Sequence, residues 1–485
     1  MNRRLLAALW SITTVVLLAS GCAGDARAPI ASAPAPAVAA SGSTPALSID
    51  DLERRTFGYF WATANPRNGL VPDRYPTPSF ASIAAVGFAL TAYPIGVERG
   101  YVSRNDAIAR VTATLRFFRD AAQGPGAAGM TGYKGFYYHF LDMNTGIRYR
   151  NTELSTIDTS LFLAGVLFCE SYFDGPDPAE REVRRLADEI YRRVDWIWAS
   201  SSDGAVALGW TPEAGFHPLR WRGYNEGMII YLLGLGSPTM PLPATAWQAW
   251  TSTYGSRWGT QYGRTYLEFP PLFGHQFSHV WVDFRGIRDA FMRDKGIDYF
   301  ENSRRATYAQ QAYAIANPMG WLGYGERIWG ISASDGPADA TLTYSGKRRV
   351  FHGYAARGID GARTYDDGTL APNAAAGSLP FAPEIALLAL EEMQRRYGSA
   401  IYSTYGFVDS FNPSFNYSVH LNGGREVSGI GWVDTDYLGI DEGLIIAMIE
   451  NYRSELIWRV MRKNPYLRTG LARAGFTGGW LDGAP

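Results

Sequence analysis

Six stretches of this chain are apolar enough that water cannot cover them, and each is followed or preceded by a helix with one polar face. The apolar runs cover 80–95, 157–173, 228–235, 279–291, 383–393 and 444–458. The amphipathic runs cover 49–63, 105–121, 178–199, 244–254 and 299–315, giving about a dozen helices in all. A helix that is hydrophobic all round must be buried, whereas one with a single apolar stripe covers a core from outside. Six buried helices alternating with six half-exposed ones describe an (α/α)6 toroid. The reading is therefore an all-α barrel forming a single catalytic domain over 49–485. No multi-strand pattern stands out, although 342–353 could form a small hairpin inside a loop.

Two junctions within this pattern repeat each other. Asn225-Glu226-Gly227-Met228-Ile229-Ile230 is echoed by Asp441-Glu442-Gly443-Leu444-Ile445-Ile446. Both set an acidic residue and a glycine before an apolar run. At the first turn of a helix, free backbone N–H groups and the macrodipole favour negative charge. Carboxylates on buried helices would therefore gather at one end of the ring as an acidic pocket. Long loops precede the inner runs, at 124–151, 201–223, 255–276, 320–379 and 406–437. Loops longer than about 15 residues in a compact domain are usually functional.

The first residues read as an export signal. Arg3 and Arg4 precede an apolar core at 5–18, and Leu18-Ala19-Ser20-Gly21-Cys22 places small residues before a cysteine. The apolar core is too short for a membrane span. The pattern resembles a bacterial lipoprotein signal, so a signal peptide over 1–22 ending at a lipidated Cys22 is expected. A flexible Ala/Pro/Ser linker over 23–48 follows. Ala23 in place of an aspartate favours the outer membrane, with the protein in the periplasm or at the cell surface and membrane contact through the lipid alone. Only Cys169 remains after Cys22, so no intramolecular disulfide is expected. The formal charge is −1 with both signs intermixed, which gives no reason to expect a nucleic-acid partner. A monomer is expected.

Aromatic residues make up 14% of the chain, and many of them fall in Gly- and Pro-rich loops rather than in the helical runs. Tyr133-Lys134-Gly135-Phe136-Tyr137-Tyr138-His139, Trp210-Thr211-Pro212, Trp258-Gly259-Thr260-Gln261-Tyr262 and Trp321-Leu322-Gly323-Tyr324 are examples. Flat aromatic faces beside polar groups suit sugars, which present C–H faces ringed by hydroxyls. A large core that simply uses aromatics is the alternative.

The candidate catalytic groups lie at loop-to-helix junctions. Glu153-Leu154-Ser155-Thr156-Ile157-Asp158 opens the second inner helix, with Ser155 or Thr156 as a cap and Asp158 in the first turn. Glu226, between a tyrosine and an apolar run, could have its pKa raised by desolvation, as a general acid requires. Asp434, Asp436, Asp441 and Glu442 crowd the last junction, where their spacing does not fit an EF-hand loop. Substrate hydroxyls or a base role suit these aspartates better than a metal. Packed helices lie about 8–10 Å apart, which would set carboxylates of neighbouring helices near the roughly 6.5–9.5 Å separation of inverting glycosidases. His275 and His279 have helical spacing without the glutamate of a zincin, and are read as structural. Gly124-Pro125-Gly126-Ala127-Ala128-Gly129 matches the letters of a dinucleotide loop in the wrong context, and Cys169 lies in an apolar helix as packing.

Several longer motifs together resemble a known family. These are Ser278-His279-Val280-Trp281-Val282-Asp283-Phe284-Arg285, Tyr324-Gly325-Glu326 through Trp329 to Pro337, Phe381-Ala382-Pro383-Glu384 and Tyr224-Asn225-Glu226-Gly227. Over roughly 50–465 the chain resembles the bacterial glucoamylase-like family, which corresponds to glycoside hydrolase family 144. The resemblance implies an (α/α)6 barrel, no metal or other cofactor, and endo-acting, inverting hydrolysis of β-1,2-glucan to sophorooligosaccharides. It implies Glu226 as general acid and Asp158 at the second acidic junction; Glu153, at the same junction as Asp158 but not aligned with the family pattern, is a third catalytic candidate. Asp335, Asp434, Asp436, Asp441, Tyr224, Trp281 and Trp329 would bind the glucan. A polysaccharide lyase and a non-catalytic glycan-binding lipoprotein remain alternatives on the same scaffold.

Overall fold

The computed structural model describes residues 47–361 and 364–483. The signal peptide, Cys22 and nearly all of the linker therefore lie outside the described residues. Helices α1 (Ile49–Thr63), α2 (Ile83–Glu98), α3 (Arg104–Asp120), α4 (Thr156–Tyr172), α5 (Pro178–Arg192) and α6 (Met228–Gly236) form the first half. Next come α7 (Ala246–Thr251), α8 (Phe277–Trp281), α9 (Ala290–Lys295) and α10 (Tyr299–Ala316). The last are α11 (Pro372–Ala376), α12 (Pro383–Tyr397), α13 (Gly439–Ser454), α14 (Leu456–Met461) and α15 (Pro465–Arg473).

The innermost elements are the ones the apolar runs point to. Every residue of α2 from 83 to 96 is buried, as is all of α6. Neither could persist exposed, so packing rather than propensity holds them. α2 packs against α4 and α13, α4 against α6, and α13 against α8 and α11. Outside them, α5 buries Val183, Leu186, Ala187, Ile190 and Tyr191 along its apolar stripe. Backbones touch where α2 crosses α4. A Cβ at Gly165 would lie 2.1 Å from the Gly87 carbonyl oxygen, and one at Gly87 would lie 2.4 Å from that of Leu161. Serines start both helices, Ser82 Oγ accepting from the Ala85 N–H and Ser155 Oγ from the Asp158 N–H.

The all-α expectation is overturned. The described chain is 44% helical but 16% strand, so the long loops are not structureless connectors. Gly132–Tyr133, Phe136–Tyr138, Leu154–Ser155, Gly209–Thr211 and Gly215–Phe216 join, in that order, as a five-stranded antiparallel sheet. This sheet runs into α4, because Ser155 is both its strand residue and the helix N-cap. Arg74–Tyr75 pairs with Tyr437–Leu438, tying the loop before α2 to the loop before α13. The hairpin expected at 342–353 is present as Ala340–Tyr344 with Lys347–Phe351.

Three expected helices also change. The run at 279–291 breaks into α8 and α9, because the Asp283 carboxylate accepts from both the backbone and the side chain of Arg285, and Gly286 turns left-handed (φ 75°). The inner position expected at 383–393 is taken by the short α11, while α12 buries one face only. The run at 444–458 ends at Glu455, whose positive φ of 57° separates α13 from α14.

At the C-terminal ends of α2 and α13, two buried carboxylates share two arginines. Arg99 holds Glu450 at 2.7 Å and reaches Glu53 at 3.5 Å, and Arg453 pairs with Glu53. Burial, then the Glu450 charge, pushes the Glu53 carboxyl up to about 8. The folded protein thus keeps a proton that the unfolded chain releases near the ordinary 4.5. Protons bound in excess by the native state make stability fall as pH rises between those values. The melting temperature should drop by a few degrees from pH 5 to pH 8, and Glu53→Gln should flatten that slope in a thermal-melt series.

Candidate active site

Glu226 stands on the last turn of loop before α6. Gly223 adopts a left-handed φ of 81°, and a Cβ there would meet Thr253 Oγ1 at 2.4 Å. Asn225 Oδ1 then accepts from the Gly227 N–H at 2.8 Å, and Ser278 Oγ donates to the Glu226 carbonyl at 3.3 Å. The backbone is pinned on both sides while the carboxyl is left with little to hold it. Its Oε2 is buried and has no hydrogen-bond partner in the protein. Burial, then the nearby Asp158 charge, pushes the carboxyl up to about 7 against the opposing pull of its own N–H. A carboxylic acid that keeps its proton near neutrality can protonate a leaving group.

Asp158 faces it from the first turn of α4. Trp221 Nε1 donates to Thr156 Oγ1 at 3.0 Å, linking the Glu226 loop to that turn. Ser155 Oγ donates to Asp158 Oδ2 at 2.5 Å, and His139 Nε2 approaches Asp158 Oδ1 at 3.5 Å. The other ring nitrogen of His139 lies 2.9 Å from Glu153 Oε1. Strand pairing creates this group: Tyr137 lies opposite Ser155 and Tyr138 opposite Leu154, which brings His139 beside Glu153. Burial alone would strip the imidazole of its proton, but Asp158, Glu153 and Asp73 together push it up to about 9. Neutralising one of these charges must lower it. Asp158→Asn should bring the His139 pKa down clearly in an imidazole NMR titration, and an unmoved value would break the assigned pairing.

A second acidic group lies beyond Asp73. Arg74 reaches Asp335 Oδ2 at 2.5 Å, Asp73 at 3.4 Å and Asp436 at 3.9 Å. Asp409 Oδ2 accepts from the Asp335 N–H at 2.7 Å, and Asp434 Oδ1 accepts from the Thr435 and Asp436 N–H groups. Asn373 on α11 donates to Asp441, whose carboxyl burial pushes up to about 7. Burial and crowding by like charge push Asp409 and Asp434 well above the usual carboxylate range. One oxygen each from Asp335, Asp409 and Asp434 lies within 4.8 Å of the others, a donor set a hard cation would accept. Arg74 already supplies positive charge there.

The sequence-derived candidates thus divide. Glu226, Asp158 and Glu153 come together, as do Asp335, Asp434, Asp436 and Asp441. Trp281 and Trp329 do not join them, for both are 0% exposed. Trp281 Nε1 donates to Thr91 Oγ1 on α2 and its ring packs on Phe88, so its faces belong to the core. Tyr224 is also buried, stacked 5.8 Å from Tyr299 with its hydroxyl near Ser303. Glu442, the echo of Glu226, is buried at 1% exposure, and burial pushes its carboxyl well above the usual carboxylate range. His275 and His279 are buried and neutral, bonded to the Phe269 carbonyl and to Ser303. His139, Asp73, Arg74, Asp409 and Asn373 were missed. His139 ends a loop noted only for its aromatics, and the others carry no motif.

Residues 218–465, just over half of the chain, match the Glycoamylase family model. The chain belongs to the Glycoamylase family. Among its relatives is the exo β-1,2-glucooligosaccharide sophorohydrolase (non-reducing end) of Parabacteroides distasonis, 26% identical over 454 residues. That alignment covers 88% of this chain but 57% of the relative, so the chain spans little more than half the length of that enzyme. The endo-β-1,2-glucanase of Chitinophaga pinensis, solved with sophorotriose and glucose, is 27% identical with a TM-score of 0.75. The alignment covers 90% of this chain and all of that one. An endo-β-1,2-glucanase from Talaromyces funiculosus shares the fold at 11% identity, with a TM-score of 0.62 and 88% of each chain covered. In this Glycoamylase family member, the motifs at 278–285 and 324–337 lie inside the matched region, whereas Asp158 and His139 lie before it.

Proposed function

We propose that this chain is an endo-acting glycoside hydrolase that cleaves β-1,2-glucan to sophorooligosaccharides with inversion at the anomeric carbon. The observation that carries the reading is Glu226, a buried carboxyl with an unpartnered oxygen and a pKa pushed up to about 7, paired across the α4–α6 junction with Asp158. In this reading Glu226 gives its proton to the glycosidic oxygen as the bond to the anomeric carbon lengthens. Asp158, directly or through a chain of waters, takes a proton from the water attacking the opposite face. His139 holds Asp158 and Glu153 in place between them. Asp335, Asp434, Asp436 and Asp441 accept from sugar hydroxyls. The β-1,2-glucan activities of the Parabacteroides and Chitinophaga relatives support the choice of substrate.

Incubation with a panel of β-glucans, with product anomers followed by NMR, tests the whole reading. A ladder of oligosaccharides from β-1,2-glucan, appearing first as α-anomers, is expected. Sophorose alone, released from chain ends, would make the enzyme exo-acting; β-anomers first would remove inversion. Ultraviolet-absorbing unsaturated products would instead identify a lyase. The same proposal includes export and lipid attachment at Cys22, for which incorporation of radiolabelled palmitate, lost in Cys22→Ser, is the test.

A further inference from the structure

Beside the acidic group, on the other face of the short ladder that carries Arg74, lies a pocket whose aromatic wall has no role in the chemistry above. Successive side chains on a strand point to opposite faces. Arg74 turns toward Asp335 and Asp436, so its neighbour Tyr75 turns the other way. There Tyr75, Tyr405 and Tyr437 line a cavity of about 310 Å³, together with Ser403, Arg425 and Thr435. Tyr75 packs edge-on against Tyr405 at 5.8 Å, and Tyr405 against Tyr437 at 5.3 Å. The rings brace each other, yet Tyr75 remains 42% exposed. An exposed ring held by its neighbours offers a flat surface that loses little freedom when something covers it.

The polar part of the wall is equally fixed. Tyr437 shares a 2.6 Å hydrogen bond with Ser403 Oγ, and Asp434 Oδ1 holds the Thr435 N–H at 2.7 Å. Asp434 belongs to both places, since it lines this pocket and stands with Asp335 and Asp409. A saccharide chain bound along the acidic group would meet this pocket through the Asp434–Thr435 turn. An aromatic trio beside hydroxyl, guanidinium and carboxylate groups has the chemistry that recognises a neutral sugar: C–H faces against rings, hydroxyls against polar rims.

We infer that this pocket is an outlying glucosyl-binding subsite, one that grips the polymer away from the bond being cut. The inference rests on the proposed β-1,2-glucan substrate. The subsite sets how well long chains are held, and it takes no part in bond cleavage. Its loss therefore appears in KM for the polymer and leaves kcat alone.

The test compares wild type, Tyr75→Ala and Tyr75→Phe on long β-1,2-glucan. In Tyr75→Ala, KM should rise about three- to tenfold, the range for one aromatic contact, with kcat within twofold. Tyr75→Phe keeps the ring and should restore KM. Migration through native gels cast with β-1,2-glucan gives a binding readout independent of turnover: wild type and Tyr75→Phe should be retarded more than Tyr75→Ala. Matching melting curves for the three proteins establish that Tyr75→Ala folds. If wild type is active while KM and gel retardation of Tyr75→Ala equal those of wild type, the subsite is overturned and the proposed function stands. A wild type that neither cleaves nor binds β-1,2-glucan overturns both.

Discussion

Glu226→Gln should reduce kcat on β-1,2-glucan by roughly 10²–10⁴-fold, the usual contribution of a positioned general acid. The substitution keeps the size and hydrogen-bonding shape of the side chain and removes the transferable proton. Its surroundings are already adapted to a neutral group, because burial drives the carboxyl toward its protonated form. Folding should therefore tolerate the amide, and substrate binding should survive. The pH dependence gives an independent reading. A general acid must be protonated, so wild-type activity should fall as pH rises through about 7, the value to which Glu226 is pushed. The residual activity of Glu226→Gln should lack that alkaline limb. If the variant keeps its rate, or the limb survives the substitution, the proton donor is another residue.

Gly165→Ala should destabilise the fold strongly although it adds only one methyl group. In an isolated helix, glycine to alanine favours the helix by about 1 kcal/mol. Here the added carbon would stand 2.1 Å from the Gly87 carbonyl oxygen and 2.8 Å from its carbonyl carbon. Those atoms are backbone of α2, so no side chain can swing aside. α2 and α4 must separate, which disturbs the buried surface on every side of both. Overpacking a dense core costs about 1–3 kcal/mol and sometimes more, and a rigid backbone partner puts this site at the upper end. Gly100→Ala is the control. Gly100 has a left-handed φ of 69° with nothing within 4 Å of the added carbon, so it should cost only the roughly 1–2 kcal/mol of a strained backbone. Melting curves of the two variants beside wild type decide the matter: a Gly165→Ala protein that melts with Gly100→Ala would show that α2 and α4 can yield.

The parts of the site that were readable in sequence are those built from neighbours along the chain. Glu226 and Asp158 each sit at the start of an apolar helix, and the run behind them reveals both their burial and their end of the molecule. Trp281 and Trp329 were misjudged for a physical reason. Trp281 between two valines, or Trp329 beside Gly330, reads the same whether its face meets a cleft or the core. His139 was invisible because its meaning depends on Glu153 and Asp158, brought to it by pairing of Phe136–Tyr138 with Leu154–Ser155. That sheet was itself unreadable, since strands of two or three residues are too short to show alternation. The local sequence of Glu442 copies that of Glu226, but α1 packs on α13 and the carboxyl is buried there.

The ladder between Arg74–Tyr75 and Tyr437–Leu438 also bears on the order of folding. It joins segments separated by about three-quarters of the chain, and Arg74 stands at the centre of the acidic group. Contacts so distant in sequence form late, because a long loop must close before they are rewarded. On the ribosome, Glu226, Asp158 and His139 emerge well before Asp434 and Asp441. For most of synthesis Glu226 exists without the acidic group that gathers around Arg74. The acidic group is therefore complete only once the segment around Tyr437–Leu438 has been made and has returned to Arg74–Tyr75.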